Sequence, residues 1–451
     1  NDRQNDLGDQ QMLTLWGDQH DRLCDGTSRR SFLKAGALGL GGLTMADVLR
    51  LRAAAGAPEP TPHTSVIFIE LAGGPTQFET YDPKPHAPQE YRGPLSSVAT
   101  SLPGERFCEL LPRQATMLDK LTAIRSIHHP KNSHDPSSHL TQTGYYKTGP
   151  KGGPTQMPSF GSVIGKVRGP NHPSLPAYVA VPSVMRNGGS AHLGKAFEAF
   201  TTGGDPNKAD FEVQNLNLHK NLDEIRLGDR RTLNASLDRQ QRLRDLGGSA
   251  VALDEFKQQA FDLVASSRAR EAFDISQESD ASRERYGRHT VGQSMLLARR
   301  LVESGVTCVT VRVTGWDDHN KMVKKIKPRA AQYDEGVAAL ISDLHERGMQ
   351  DDVLIVAMGE FGRTPRFNRN AGRDHWGSVM SVMLSGGRLK PGIFGASNSK
   401  GEVPAEMPYR PENVLAMLYR HLGIDPAMTF DDFSGRPRYV LEERELIREV
   451  I

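Results

Sequence analysis

Apolar and polar positions along this chain alternate between two regimes. Short continuous apolar runs are followed by turns, and longer stretches carry apolar residues at helical spacing. The run 353–357, Val-Leu-Ile-Val-Ala, has the length and lack of alternation of a strand covered on both faces of a parallel sheet. The same pattern predicts strands at 65–71, 121–127, 177–182 and 306–313. Val337, Leu340, Ile341 and Leu344 fall on one face of a predicted helix over 329–347. Strand, helix, strand in that order is a βαβ unit, so the reading is an α/β fold with a central, mostly parallel sheet.

Residues 205–304 differ. They are charged and poor in β-branched residues, with Leu222, Ile225 and Leu227, then Leu233, Leu237 and Leu243, at helical spacing. This stretch is expected to be a helical insertion or cap.

The first 55 residues read as an address. Ser28-Arg29-Arg30-Ser31-Phe32-Leu33-Lys34 has the form of a twin-arginine export motif. The apolar run after it, 35–45, is Gly-rich and too short to span a bilayer stably. Ala53-Ala54-Ala55 offers a small-residue cleavage site, and 56–64 is a Pro-rich linker. The expectation is an extracytoplasmic, periplasmic protein that meets the twin-arginine translocase, with a main domain over 65–440, a short tail over 441–451 and no stable transmembrane span.

Bulk composition adds little. The chain has 451 residues, 37% of them hydrophobic and 24% charged, as in an ordinary globular protein. A net charge of +2 gives no reason to invoke nucleic acid. Three cysteines, with no Cys-x-x-Cys pair, exclude a zinc knuckle.

The chemistry collects in turns after predicted strands. One holds His128, His129, His134 and His139; the next is Asp317-Asp318-His319; the last carries Glu360 and Arg363, then Asp374-His375. In open α/β sheets, ligands bind outside the carboxyl ends of strands. Asp318, His319, Glu360, Asp374 and His375 are therefore expected to hold a divalent metal such as Zn, Ca, Mg or Mn. His134 or His129 is a candidate base or nucleophile, and Arg363 a candidate clamp for an anionic oxygen. Trp316 and Trp376 are candidate pocket walls.

These residues, in this order, resemble the alkaline phosphatase superfamily and its sulfatase branch. His134-Asp-Pro136-Ser137-Ser-His-Leu-Thr-Gln-Thr143-Gly144 has the spacing of the sulfatase nucleophile motif, with His134 in the nucleophile's place. Asp317-Asp318-His319, Tyr333 with Asp334, and Glu360-Phe361-Gly362 match the later metal-binding motifs. Gly73-Gly74-Pro75-Thr76-Gln77, Tyr81-Asp82-Pro83-Lys84-Pro85, Phe361-Gly362-Arg363-Thr364-Pro365 and Arg373-Asp374-His375-Trp376 resemble, more narrowly, the exported sulfatase-like domain-of-unknown-function family 1501. The resemblance implies an alkaline phosphatase/sulfatase-like three-layer fold. It also implies a small anionic ester, or a sulfated or phosphorylated glycan, as partner.

The departures shape the expected chemistry. Gly73-Gly74-Pro75 stands where paired aspartates follow the first strand in that superfamily. His134 replaces the Cys, Ser or Thr nucleophile, and Glu360-Phe361 replaces an Asp-His pair. The expected function is a metal-dependent ester hydrolase with a rebuilt site that does not use formylglycine. The alternative is a non-catalytic binding or structural protein of the cell envelope.

Overall fold

The computed structural model describes residues 63–148, 152–213, 216, 263 and 266–451. The leader and most of the linker, and the part of the expected helical stretch over 217–262, lie outside the described residues.

Five buried runs form the centre of the sheet: β1 (Ser65–Leu71), β2 (Leu121–Ile127), β3 (Tyr178–Val181), β5 (Cys308–Val313) and β6 (Val353–Met358). With β4 (Phe200–Thr201), β9 (Met380–Gly386) and β10 (Gly392–Phe394) they make an eight-stranded sheet in the order β10-β2-β9-β6-β1-β5-β3-β4. Every pairing is parallel except those of β9, which runs against both β2 and β6. A two-strand ribbon, β7 (Gly362–Arg363) with β8 (His375–Trp376), stands beside the sheet.

Alternation along β1 divides the core. Ile67, Ile69 and Leu71 face one layer, with helices α3 (Thr290–Ser304) and α4 (Met322–Glu346). Val66 and Phe68 face the other, with α2 (Phe160–Val167) and α5 (Pro411–His421). Two apolar layers enclose a sheet that is buried on both sides, which is why its strands lack a polar alternation. α3 has sharp ends. His289 Nδ1 accepts from Gly292 N–H at 3.0 Å, and Gly305 closes the helix with φ +117°. Of the expected helical stretch, helices occupy Ser267–Phe273, Asp280–Tyr286 and α3, while 205–213 is irregular. Among the described residues, no helix is long and apolar enough to cross a membrane.

One buried histidine ties two layers together and sets a pH limit. His421 lies at the end of α5, with Nε2 3.1 Å from the carbonyls of both Ser65 and Asp352. It therefore donates as a neutral imidazole. Burial pushes its pKa down to about 4, against the pull of the two carbonyls. An unfolded histidine titrates near 6.5, so the unfolded chain takes up a proton that the folded one refuses between those values. The stabilising contribution is complete above about pH 6.5 and is lost as pH falls toward 4, by about 3 kcal/mol at most. Denaturant titrations from pH 7 to 4 should show a shallower acid decline for His421→Gln than for the parent. Equal slopes would exclude this histidine as the cause.

Candidate metal centre

The carboxyl ends of β1, β5 and β6 converge with the start of helix α1 (His134–Thr143) and the β7–β8 ribbon. The turn after β1 is Gly73-Gly74, at φ +116° and +80°. A Cβ on Gly73 would lie 2.5 Å from the backbone nitrogen of Asp317, and one on Gly74 2.4 Å from the Phe361 ring. Only glycine permits this turn to press against both neighbouring loops. The approach brings Gly73 N–H to both carboxylate oxygens of Glu360, at 3.0 and 3.1 Å.

Three imidazoles face one carboxylate. His134 Nε2 is 3.3 Å from Asp317 Oδ2, and His375 Nε2 and His319 Nε2 are 3.1 and 3.0 Å from Asp317 Oδ1. The two nitrogens of His319 and His375 are 2.9 Å apart. On each ring the other nitrogen meets an acceptor. His134 Nδ1 is 2.7 Å from Glu360 Oε1, His319 Nδ1 2.6 Å from Asp374 Oδ1, and His375 Nδ1 3.0 Å from the carbonyl of Asn132. Carboxylates and carbonyls only accept, so each Nδ1 carries the hydrogen. Each neutral ring then directs an Nε2 lone pair at Asp317 and, for two of them, at one another. Such a set repels itself unless a cation or extra protons lie among the donors. Imidazoles oriented through their outer nitrogens are also the usual supports of a bound metal.

The spacing fits an ion. Ligand atoms about 2.0–2.1 Å from a tetrahedral ion lie about 3.3 Å from one another. His134, Asp317 and His375 offer donor atoms that all lie within 4.8 Å. One carboxylate and two imidazoles, with His319 alongside, is a donor set suited to zinc or a similar divalent ion.

Electrostatics favour an ion at Asp317 and His375 and oppose the neutral ring at His134. Burial pushes the Asp317 carboxyl up, but the hydrogen bond and the charge of Arg363 hold it well below the usual carboxylate range. The hydrogen bond to Glu360 raises His134, against its partial burial. Burial lowers His375, and Asp317 partly opposes this, which favours the neutral ligand form. The hydrogen bond from His319 holds the half-exposed Asp374 carboxyl down.

Sequence reasoning placed several of these residues differently. Asp318 does not reach the cluster. Its carboxylate is buried against Arg329, at 2.7 and 3.2 Å, because neighbouring residues beyond a strand point to opposite sides. Asp317 stands in its place and was missed. Glu360 and Asp374 reach the site through His134 and His319, holding the rings rather than facing Asp317. Arg363 is no substrate clamp. It is fully buried, with Nε donating to Gly74 O at 2.8 Å, Nη1 to Arg373 O at 3.1 Å, and Nη2 to Gly73 O, to Trp316 O at 3.0 Å and to Asp317 Oδ1 at 2.7 Å. His129 is buried too. Its Nε2 donates to the Glu360 carbonyl at 2.8 Å, its Nδ1 accepts from Lys131 N–H at 3.2 Å, and burial pushes its pKa down to about 4, so the ring is engaged in supporting the strand end.

The aromatic wall is Phe361, with its ring centroid 4.3 Å from that of His375 and 5.2 Å from that of His134. Trp316 is buried against Tyr333, and Trp376 donates from Nε1 to the Glu402 carbonyl at 2.7 Å. The Asn132 carbonyl carried no signal in the sequence, since any residue supplies one.

No curated protein matches the chain. Among solved structures it is similar to the lipoteichoic acid synthase LtaP from Listeria monocytogenes, at 11% identity over 84% of this chain and 78% of that one, with a TM-score of 0.34. It is similar to the alkaline phosphatase from the Antarctic bacterium TAB5, at 9% identity over 79% of this chain and 98% of that one, with a TM-score of 0.38. It is also similar to the PsFucS1 sulfatase from Pseudoalteromonas sp., at 12% identity over 89% of this chain and 79% of that one, with a TM-score of 0.35. The family described as protein of unknown function (DUF1501) matches residues 63–451, and the chain belongs to that family.

Proposed function

We propose that this chain is an exported, metal-dependent hydrolase of phosphate or sulfate esters. The observation that carries the reading is the convergence of three imidazole Nε2 atoms on Asp317, with each Nδ1 already engaged. In this reading His134, Asp317 and His375 hold the ion, with His319 beside them. Glu360, Asp374 and the Asn132 carbonyl fix the ring orientations, and Arg363 fixes Asp317. A divalent ion in such a site supplies Lewis-acid polarisation of an ester oxygen and acidifies water. The protein's own share is to orient the imidazoles through their Nδ1 atoms, keep Asp317 ionised, and pack Phe361 against two of the rings. Export rests on the Arg29-Arg30 motif and the apolar run behind it.

The test combines composition with turnover. Purified protein is expected to contain about one divalent ion per chain. It is expected to cleave p-nitrophenyl phosphate or sulfate slowly, to stop on chelation, and to recover when Zn²⁺ or Mn²⁺ is returned. Turnover that survives complete removal of metal would sink the reading. A second reading, binding of an anionic ester without turnover, is favoured by the imidazole of His134 in the nucleophile's place. An ion-loaded protein that cleaves neither ester would make it the better one.

A further inference from the structure

We propose that Asn132 is a positioning residue of the metal centre: its side-chain amide locks the loop 128–133 against the end of β8 and so sets how His134 and His375 present their donor nitrogens to one another. This rests on the reading of the cluster as an ion site, but it is tested by ion binding without turnover.

The loop joins β2 to α1 and ends one residue before His134. Against it lies His375-Trp376-Gly377, which is β8 and the residue after it. Three hydrogen bonds close the two segments together. His129 N–H donates to the Gly377 carbonyl at 2.8 Å, Gly377 N–H donates to Asn132 Oδ1 at 2.6 Å, and His375 Nδ1 donates to the Asn132 carbonyl at 3.0 Å. A backbone N–H needs an acceptor, so the oxygen of the Asn132 amide is the atom that faces Gly377. Of the three bonds, only this one depends on which side chain stands at position 132. A Cβ on Gly377 would lie 2.3 Å from the Lys131 carbonyl oxygen and 2.5 Å from that of His129, so the close approach requires glycine.

The loop is fixed at both ends to segments that orient ligands. Its first half reaches the Glu360 carbonyl through His129 Nε2 at 2.8 Å, and the Glu360 carboxylate holds His134 Nδ1 at 2.7 Å. Its second half holds His375. The two imidazoles meet edge to face, with centroids 4.4 Å apart. Helix α1 starts at His134 without help from its N-cap, because the Ser133 side chain makes no capping bond. The start of the helix therefore takes its place from the loop before it. Gly377 is buried, so its N–H cannot be left without Oδ1. Without that acceptor it must shift toward water or draw one in. Either movement separates the Asn132 carbonyl from His375 Nδ1 and lets that ring turn. A zinc-sized ion tolerates little turning, since its ligand atoms must stand about 2.0–2.1 Å away. Asn132 itself is exposed, so its side chain can be changed without opening the core.

The test uses the full chain, stripped of metal, with two readouts. Zn²⁺ affinity is measured by competition with a chromophoric chelator, and the geometry of the site by the visible absorption of the protein saturated with Co²⁺. Asn132→Leu keeps the volume and removes the acceptor. It is expected to stay folded by circular dichroism, to bind Zn²⁺ about tenfold more weakly or worse, and to change the cobalt spectrum. Asn132→Asp keeps the acceptor and should keep the parental spectrum and at least the parental affinity. An Asn132→Leu protein with parental affinity and spectrum overturns the proposal. So does an Asn132→Asp protein that falls as far as Asn132→Leu. If Asn132→Leu binds weakly but shows the parental spectrum at saturation, the amide serves folding and not ion geometry, and the proposal is again overturned. A parent whose ion binding depends on Asn132 but which cleaves no ester keeps the proposal and rejects the hydrolase. Ester turnover that stops on chelation, with ion binding indifferent to Asn132, rejects the proposal alone. A parent that binds no ion rejects both.

Discussion

Asp317→Asn is expected to lower affinity for a divalent ion about 100-fold or more, since losing even an orienting partner of a ligand costs 10–100-fold. The substitution keeps volume and an oxygen that can still accept from Arg363, but removes the charge on which three imidazoles converge. Loss of metal can then be attributed to the donor set and not to a collapsed loop. Asp318→Asn is the matched control. It breaks a buried pair with Arg329 at 2.7 Å and leaves the cluster intact, so it should lower the thermal midpoint while retaining the ion. Competition with a chromophoric chelator for Zn²⁺ reads both variants. If Asp318→Asn empties the site and Asp317→Asn leaves it full, the assignment of the two aspartates is reversed.

The second large effect concerns stability. Arg363→Met should destabilise the fold by about 3–5 kcal/mol, because several carbonyls around the buried side chain lose their donor at about 1–3 kcal/mol each. The side chain is completely buried, and its fork takes the carbonyls of Gly73, Gly74, Trp316 and Arg373 together with Asp317. Methionine fills much of the space and satisfies none of them. Each orphaned carbonyl adds its own desolvation penalty. Arg363→Lys should fall between, because a single ammonium cannot reach so planar a spread of acceptors. Urea denaturation measures the loss. A variant with parental stability and a raised KM for the ester would restore Arg363 as a substrate clamp.

The layout of the sheet was legible because its strands are covered on both faces. Ser65–Leu71, Leu121–Ile127 and Val353–Met358 stand out as apolar runs between turns. The antiparallel β9 did not, since a strand's direction leaves no mark in its composition. Helix α4 was placed too short at its start. Its first turns are lysine-rich and carry Pro328, so periodicity alone does not show them as helix. The site was legible as a set of turns and less so as a geometry. Asp317 and Asp318 are identical in type and adjacent in sequence. Which of them turns inward depends on Arg329, eleven positions later. Arg363 was misread because a charged residue in a turn normally reaches solvent, and its burial follows from carbonyls supplied by other loops.

The place of β1 in the sheet has a consequence for how the chain is made. Its two neighbours are β5 and β6, with Val66 paired to Cys308 on one side and to Leu354 on the other. The earliest strand of the described chain therefore has no partner until the last third has been synthesised. Closing loops of this length precedes any reward from pairing, which makes such topologies slow to fold and exposes their unpaired strands meanwhile. A ribosome-bound chain stalled before residue 308 holds β1 as an unsheltered apolar ribbon, the kind of segment that chaperones engage. Glu360 and His375 arrive later still, so no nascent fragment can assemble the histidine–carboxylate cluster before residue 375 has emerged.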